Sequence, residues 1–243
     1  MDDIALMSQA VCGPAPSPQD LLGAWNLDPV VTIALTSCAA AGFWTLRHAS
    51  ALRQRAFGTA TLFSVIAFIS PLCALTVALF AARSAHHLIL LSVIAPALAL
   101  ALPLLRVPVA ASFIALSAAL WLWHLPALYS AIWDSVLWYW VMQVALLLPA
   151  WAFWSVILSG RRLLDVVWLI PLVGQMGFLG AILTFANRPF YLEHLALAER
   201  FGITALQDQQ LAGLIMWVPG MLPIAALAAT LAWGQLAATM RQA

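Results

Sequence analysis

The chain has 243 residues, of which 65% are hydrophobic and 8% are charged, and its mean hydropathy is +0.99. Soluble domains carry roughly 25% charged residues, so this composition predicts an integral membrane protein without a separate soluble domain. The net charge is only +1 and every basic residue is arginine, which gives no support for a nucleic-acid partner and excludes a lysine Schiff base.

An irregular extramembrane lead-in is predicted for residues 1–28, because three prolines lie between positions 14 and 18. Asp2 and Asp3 stand where a signal peptide has basic residues, so we expect no cleaved signal peptide. The remaining chain, 29–243, is expected to form a single membrane domain.

The three cysteines, Cys12, Cys38 and Cys73, lie far apart in the sequence and form no Cys-x-x-Cys pattern. This spacing is not typical of a disulfide framework or of covalent haem attachment. We therefore expect neither feature.

Seven apolar stretches are long enough to cross a membrane as helices, which requires about 20 residues. They are residues 29–46, 57–82, 86–105, 107–125, 136–159, 163–186 and 209–235. The predicted fold is an all-α integral membrane protein, a seven-transmembrane-helix bundle. Only the turn around Pro103, Arg106 and Pro108 separates the third stretch from the fourth.

The distribution of arginines predicts the orientation of the bundle, since short cytoplasmic loops are enriched in positive residues. With seven helices, one side carries Arg47, Arg53, Arg55, Arg106, Arg161, Arg162 and Arg241, and the other carries Arg83, Arg188 and Arg200. The N-terminus is therefore expected outside and the C-terminus in the cytoplasm. The acidic residues agree, because Asp165 alone lies on the cytoplasmic side.

Four of the five histidines fall on the outer side in this topology: His86, His87, His124 and His194. Imidazole is a common ligand of copper and zinc, so a metal site is a candidate function. Neighbouring helical residues point about 100° apart, which makes His87 and His124 a better pair than His86 and His87. The alternative is that the histidines only anchor helix ends at the membrane surface.

Other side chains on the outer side are candidates for lining a pocket beside these histidines. They are Met142, Gln143, Met216, Asp208, Gln209, Gln210 and Asp134. Thioethers suit Cu(I), and polar groups inside a membrane are costly enough to suggest a function. Alternatively, the methionines only fill space, and the helical face shared by Gln209, Gly213, Met216 and Gly220 indicates close helix packing.

Catalytic motifs are absent from the sequence. It contains no His-Glu-x-x-His, no Gly-x-Ser-x-Gly and no phosphate-binding glycine loop. No carboxylate lies deep inside a predicted span, which argues against a proton pump. We expect a protein that is not an enzyme.

Three motifs resemble the polytopic CtaG family of cytochrome c oxidase assembly factors. They are residues 79–88 (Leu-Phe-Ala-Ala-Arg-Ser-Ala-His-His-Leu) with Ala95-Pro96, residues 121–129 with 139–143, and residues 208–220 (Asp-Gln-Gln-Leu-Ala-Gly-Leu-Ile-Met-Trp-Val-Pro-Gly). The third is the most specific. Many members of that family have a histidine four residues before the one that matches His87, where this chain has Arg83.

The resemblance implies a role in building haem-copper oxidase in the bacterial inner membrane, with Cu(I) handled at the outer face. His87 and His124 are the expected ligands, with His86 as a further candidate. Oxidase subunits or other assembly factors are the expected partners, besides the lipid bilayer. Two alternatives remain open, a transporter for copper or another small solute and a metal-free scaffold for oxidase assembly.

Overall fold

The computed structural model describes residues 11–104, 106–159 and 163–240, and all regular structure in these residues is helical. The longer helices are α1 (Pro29–Leu46), α2 (Ala51–Phe68), α3 (Pro71–Ala78), α4 (Phe80–Ala101), α5 (Val109–Leu122), α6 (Pro126–Asp134), α7 (Val136–Leu158), α8 (Leu169–Thr184) and α9 (Ala205–Met240). Short helical turns occur at Leu21–Gly23, at Leu163–Val166 and between Leu192 and Phe201.

Four of these helices are long and apolar enough to cross a membrane: α1, α4, α7 and the Ala205–Thr230 part of α9. The number rises to six if two bent pairs each count as one span, since α2 and α3 meet at 46° and α5 and α6 at 82°. The apolar helix α8 is shorter, at 16 residues. The all-helical fold is thus confirmed for the described residues, with four to six candidate membrane-spanning helices, while seven crossings and their orientation stay predictions.

Local sequence explains where several helices begin. Asp28 Oδ1 accepts hydrogen bonds from the amides of Val30 and Val31, and Pro29 occupies the first position of α1. Ser70 and Pro71 start α3 in the same way. A side-chain oxygen supplies the acceptor that a first-turn amide lacks, and proline has no amide to leave unpaired. The break between α2 and α3 therefore follows from local chemistry.

Contacts distant in sequence distinguish the two ends of the bundle. At one end the lead-in packs on the break between α2 and α3, where the Asn26 amide side chain donates to Phe68 O at 2.9 Å and its backbone N–H donates to Ile69 O at 2.8 Å. At the opposite end, Arg53 Nε donates to Ala101 O at 2.7 Å. The first is called the disulfide end below, because it carries a disulfide between Cys12 and Cys73.

The expectation that the cysteines form no disulfide is wrong for Cys12 and Cys73, which are bonded to each other. Cys12 and Cys73 are 61 residues apart, and they meet because the lead-in folds over the first turn of α3. Such a long-range contact leaves no local pattern in the sequence. Cys38 is exposed and makes no disulfide.

Helix α4 begins at Phe80, six residues before the predicted third span, and the extended residue Leu79 separates it from α3. It contains a π-helical turn at Leu90–Ile94, and the Trp154 indole donates to the Leu91 carbonyl there at 2.8 Å. Because π-helical turns are frequent beside functional sites, α4 merits attention. The earlier start also puts the histidine pair inside the helix instead of at its entrance.

Helices α8 and α9 approach closely through glycine. A Cβ atom on Gly213 would stand 2.5 Å from Gly180 O, and one on Gly180 would stand 2.8 Å from Gly213 O. Farther along α9, Gly220 faces Leu88 of α4. Only glycine permits such an approach between helices. The glycine stripe predicted on α9 is therefore a packing surface.

The described charged residues separate between the two ends as the sequence analysis expected. Arg47, Arg53, Arg55 and Arg106 lie in the loops and helix starts of the opposite end, whereas Arg83, Arg188 and Arg200 lie at the disulfide end. Arg161, Arg162, Arg241, Asp2 and Asp3 lie outside the described residues. Large apolar side chains such as Ile33, Leu137 and Ile170 are exposed on the outside of the bundle, as expected for a surface in contact with lipid.

Candidate functional site

His86 and His87 are buried two turns into α4, with exposed fractions of 1% and 9%. Their ring centroids are 5.7 Å apart, and His86 packs edge-on against Phe68 of α2. His86 lies beside the Ala67 carbonyl, but neither of its ring nitrogens makes a hydrogen bond of ordinary geometry. Nε2 of His87 is likewise buried without a partner. Unused polar atoms of this kind are uncommon in folded proteins and call for an explanation.

His124 lies in the sharp bend between α5 and α6. Its Nδ1 is 2.7 Å from Leu120 O, and its own carbonyl accepts a hydrogen bond from the Tyr191 hydroxyl. A carbonyl only accepts, so Nδ1 carries the proton in the neutral ring and the lone pair is on Nε2. A carbonyl holding the other ring nitrogen is the usual arrangement of a metal-binding histidine.

His124 lies in the bend between α5 and α6, where its ring centroid is 6.3 Å from that of Phe80, seven residues before His87 on α4. Nε2 of His87 is buried and makes no hydrogen bond. Nε2 of His124 is unprotonated in the tautomer that Leu120 O favours. Among the described residues no group of three or more His, Cys, Asp or Glu side chains converges on a metal-sized site. The described residues therefore provide no closed four-ligand metal site.

His194 belongs to the loop between α8 and α9 and has a different role. Its Nε2 lies 2.6 Å from the Tyr129 hydroxyl and its Nδ1 lies 3.2 Å from Ala78 O. Burial, together with the positive charge of Arg83, lowers the pKa of His194 to about 3. Both nitrogens of this neutral ring are in use, so His194 joins the loop to α3 and α6. Tyr191 in the same loop stacks on Phe80 at 3.9 Å, and burial raises its pKa.

Arg83 lies one turn before His87 and is 3% exposed. Its Nη2 donates to Thr76 O at 3.2 Å, while Nε has no partner. Three aromatic rings surround the guanidinium, with centroids 5.9 Å (Tyr129), 5.3 Å (Trp133) and 5.9 Å (Tyr139) from Cζ. Burying an isolated ion costs several kcal/mol, and each cation–π contact returns about 0.5–2 kcal/mol. The rings therefore offset part of the cost of burying this charge.

The Asp208-Gln209-Gln210 motif at the start of α9 binds backbone groups of other segments. The Asp208 carboxylate accepts from the amides of Phe80 at 2.7 Å and Ala81 at 3.0 Å, so it caps α4 from a different helix. Gln209 Oε1 accepts from Phe190 N at 2.6 Å. Gln210 Nε2 donates to Ala186 O at 3.2 Å. The motif thus joins α4 and the loop after α8 to the start of α9.

The remaining pocket candidates are spread over the disulfide half of the bundle. Met142 and Met216 are buried in α7 and α9, and Asp134 is exposed at the end of α6. Asp208 of α9 contacts Phe80 of α4, and Gly220 of α9 faces Leu88 of α4. Since Met216 lies between Asp208 and Gly220, and the histidine pair lies between Phe80 and Leu88, the two are at about the same depth. Gln143 is buried beside Tyr139, but its amide atoms make no hydrogen bond of ordinary geometry.

Two features of this region escaped the sequence analysis: the aromatic surroundings of Arg83 and the bond between Tyr129 and His194. Arg83 was treated only as a departure from a histidine pattern, although a lone arginine one turn inside an apolar helix is itself a signal of function. Tyr129 and His194 are 65 residues apart, so no local pattern indicated their contact.

A family model described as cytochrome c oxidase caa3 assembly factor (Caa3_CtaG) matches residues 104–238, which is more than half of the chain. The matched region contains His124, Met142, Gln143 and the Asp208-Gln209-Gln210 motif, and it begins after the histidine pair of α4. No curated protein and no solved structure matches the chain.

Proposed function

The chain belongs to the cytochrome c oxidase caa3 assembly factor family, and on that premise we propose that it holds Cu(I) transiently for delivery to the oxidase. His87 and His124 are the proposed ligands, and His86 is a further candidate. The ion is cargo, and the protein is not an enzyme. Oxidase subunits or other assembly factors in the bacterial inner membrane are the proposed recipients.

The observation that carries the proposal is the presence, at the disulfide end, of two histidines that each keep Nε2 available for an ion. His124 is oriented by Leu120 O so that its unprotonated nitrogen is Nε2, and Nε2 of His87 is buried without a partner. Imidazole suits copper, and the thioether of Met216 at similar depth offers a softer ligand. Two or three ligands hold an ion less firmly than a closed four-ligand site, which favours transfer.

The disulfide supports an outer location for this site. Disulfides persist in oxidising compartments and are rare in the cytosol. The Cys12–Cys73 bond lies at the same end as the histidines, and four of the described arginines lie at the opposite end. We therefore propose that the disulfide end faces the periplasm, in a bundle of seven spans of which α8 is the sixth along the chain.

A direct test is Cu(I) binding by the detergent-purified protein under conditions that keep the disulfide intact. The His87→Ala, His124→Ala double variant is expected to bind Cu(I) at least about tenfold more weakly, which corresponds to a loss of about 1.4 kcal/mol of binding free energy. His48→Ala is the matched control, because His48 is exposed at the opposite end. Equal binding by the native protein and the double variant would refute the copper proposal.

The second candidate is a metal-free scaffold for oxidase assembly, and one observation favours it. The polar motif of α9 binds only backbone groups of this chain, so it has a structural role that needs no metal. A scaffold predicts that the double histidine variant supports normal oxidase assembly in cells. A transporter is ranked below both, because the fully buried polar side chains described near the opposite end, Ser112 and Ser155, are hydrogen-bonded within the protein.

A further inference from the structure

A small cavity lies beside the disulfide, and Arg83 is one of the residues that line it. Its volume of about 20 Å³ is enough for one water-sized group. The residues that line it are Val11, Cys12, Val77, Arg83, Ile132, Trp133, Ser135, Val136 and Tyr139. None of them is acidic, and one carries a permanent positive charge.

The positive charge of Arg83 has no ionic partner among the described residues. Its hydrogen bond to Thr76 uses one nitrogen, and Nε remains without a partner. Two carboxylates at this end are engaged elsewhere, since Asp208 caps α4 and Glu193 accepts a hydrogen bond from Ser130. Because an arginine cannot lose its proton in a protein, this buried charge is permanent, and no carboxylate of the described residues forms an ion pair with it.

Two further donors belong to residues that line the same cavity. The Trp133 indole N–H is buried and makes no hydrogen bond. Ser135 Oγ accepts from the Trp138 amide at 3.3 Å, which leaves its hydroxyl hydrogen available. A cavity with three donors, a positive charge and no acceptor carboxylate is complementary to an anion.

We propose that this cavity binds the carboxylate group of a small organic acid or of a partner molecule, with Arg83 as its ionic partner and Trp133 as a second donor. The volume admits one carboxylate oxygen, and the rings of Trp133 and Tyr139 provide apolar walls beside it. A carboxylate oxygen would accept a charge-assisted hydrogen bond from Arg83 Nε and a hydrogen bond from the Trp133 indole. The site is independent of the histidine site and does not rest on copper binding.

Nuclear magnetic resonance of the detergent-purified protein, labelled with 15N in its tryptophan and arginine side chains, tests the proposal. Formate is the probe, and formamide is a neutral control of the same shape. Formate is expected to shift the Trp133 Nε1 and Arg83 Nε signals in a saturable way, and formamide is not. Absence of a saturable shift, or equal shifts with both compounds, would overturn the proposal. A response to chloride without a response to formate would overturn the carboxylate assignment.

Three variants assign the site to these residues. Arg83→Gln is expected to weaken formate binding by roughly tenfold to a hundredfold, because a charge-assisted hydrogen bond is lost. Trp133→Phe keeps the ring but removes one donor, so a smaller loss is expected, and it remains informative if Arg83→Gln does not fold. Arg188→Gln is the control, since this exposed arginine lies at the same end. Equal weakening by the control would indicate general charge attraction and refute a built site.

The source of the carboxylate is distinguished by a second titration. A short peptide with a free C-terminal carboxylate is compared with the same peptide amidated at that end. Stronger binding of the free peptide than of formate would identify a partner chain as the source. Equal strength would identify a free small acid. Failure of both to bind would refute the site.

Discussion

The two ends of the bundle treat their polar groups differently. At the opposite end, polar side chains complete the backbone: Arg53 and Trp151 donate to carbonyls at the end of α4, and Ser155 accepts from Leu104 N. At the disulfide end, nitrogens of Arg83, His86 and His87 are buried without partners, although the motif of α9 beside them is fully bonded.

This difference separates residues that hold the fold from residues that are available to bind. A buried polar atom without a partner costs about 1–3 kcal/mol, so a concentration of such atoms lowers stability unless a ligand uses them. The disulfide, the cap from Asp208 and the ring stack of Phe80 on Tyr191 lie around the same atoms and oppose that cost. We interpret the disulfide end as a rigid frame around binding groups.

The largest effect is expected for Gly213→Leu, because it disrupts the packing of α8 against α9. A side chain at this position collides with the backbone of α8 at Gly180 and with Thr184, so the helices must separate. Overpacking costs about 1–3 kcal/mol where side chains can yield, and more where backbone must move. We expect no folded protein by size-exclusion chromatography. Gly174→Leu on α8 is the control, because nothing lies near a Cβ there; equal loss in both would contradict the packing account.

Asp208→Ala is expected to cost roughly 2–5 kcal/mol of unfolding free energy, because the amides of Phe80 and Ala81 lose their shared acceptor. Thermal unfolding in detergent measures the loss. Asp208→Asn retains one acceptor oxygen and is expected to lose about half as much. If Asp208→Ala left stability unchanged but abolished Cu(I) binding, Asp208 would belong to the binding groups instead of the frame.

His194 makes the stability of the frame depend on pH. Its pKa falls from an ordinary 6.5 to about 3 in the folded protein, so the unfolded chain binds the proton first as the pH drops. Stability is therefore complete above pH 6.5 and falls between pH 6.5 and about 3, by up to about 1.4 kcal/mol per pH unit. His194→Gln is expected to flatten this dependence of the unfolding temperature. An unchanged slope would show that His194 is not a buried neutral group.

The smallest effect is expected at the opposite end. Arg53→Ala removes one hydrogen bond to Ala101 O, which is worth about 1 kcal/mol. Arg55→Ala is the control, because this neighbouring arginine is exposed and its expected change is close to zero. Chemical denaturation of the two variants distinguishes them, and equal stability would show that polar groups at this end do not support the fold.

The sequence predicted most of the helices, because apolar length is a direct requirement of the membrane. The predicted first span coincides with α1, and the fifth, 136–159, differs from α7 by one residue. The second and third were misplaced, with the boundary at residues 83–85 instead of at Leu79. Composition is equally apolar on both sides of Leu79, and the start of α4 is determined by a carboxylate 128 residues away from Phe80.

The candidate site was predictable only where residue chemistry sufficed. The choice of His87 and His124 followed from helical geometry, and the pair stays a prediction together with the metal. The disulfide and the environment of Arg83 depend on contacts between distant segments. The Asp208-Gln209-Gln210 motif was read as a pocket lining, and its bonds to backbone groups became visible only in three dimensions.

X-ray absorption spectroscopy at the copper edge of the Cu(I)-loaded protein tests the central claim most directly. The account predicts a first shell of nitrogen atoms with the outer-shell scattering of imidazole rings, and the loss of that scattering in the His124→Ala variant. His48→Ala is expected to give the native spectrum. A shell of sulfur alone, or a spectrum that both His87→Ala and His124→Ala leave unchanged, would contradict the account.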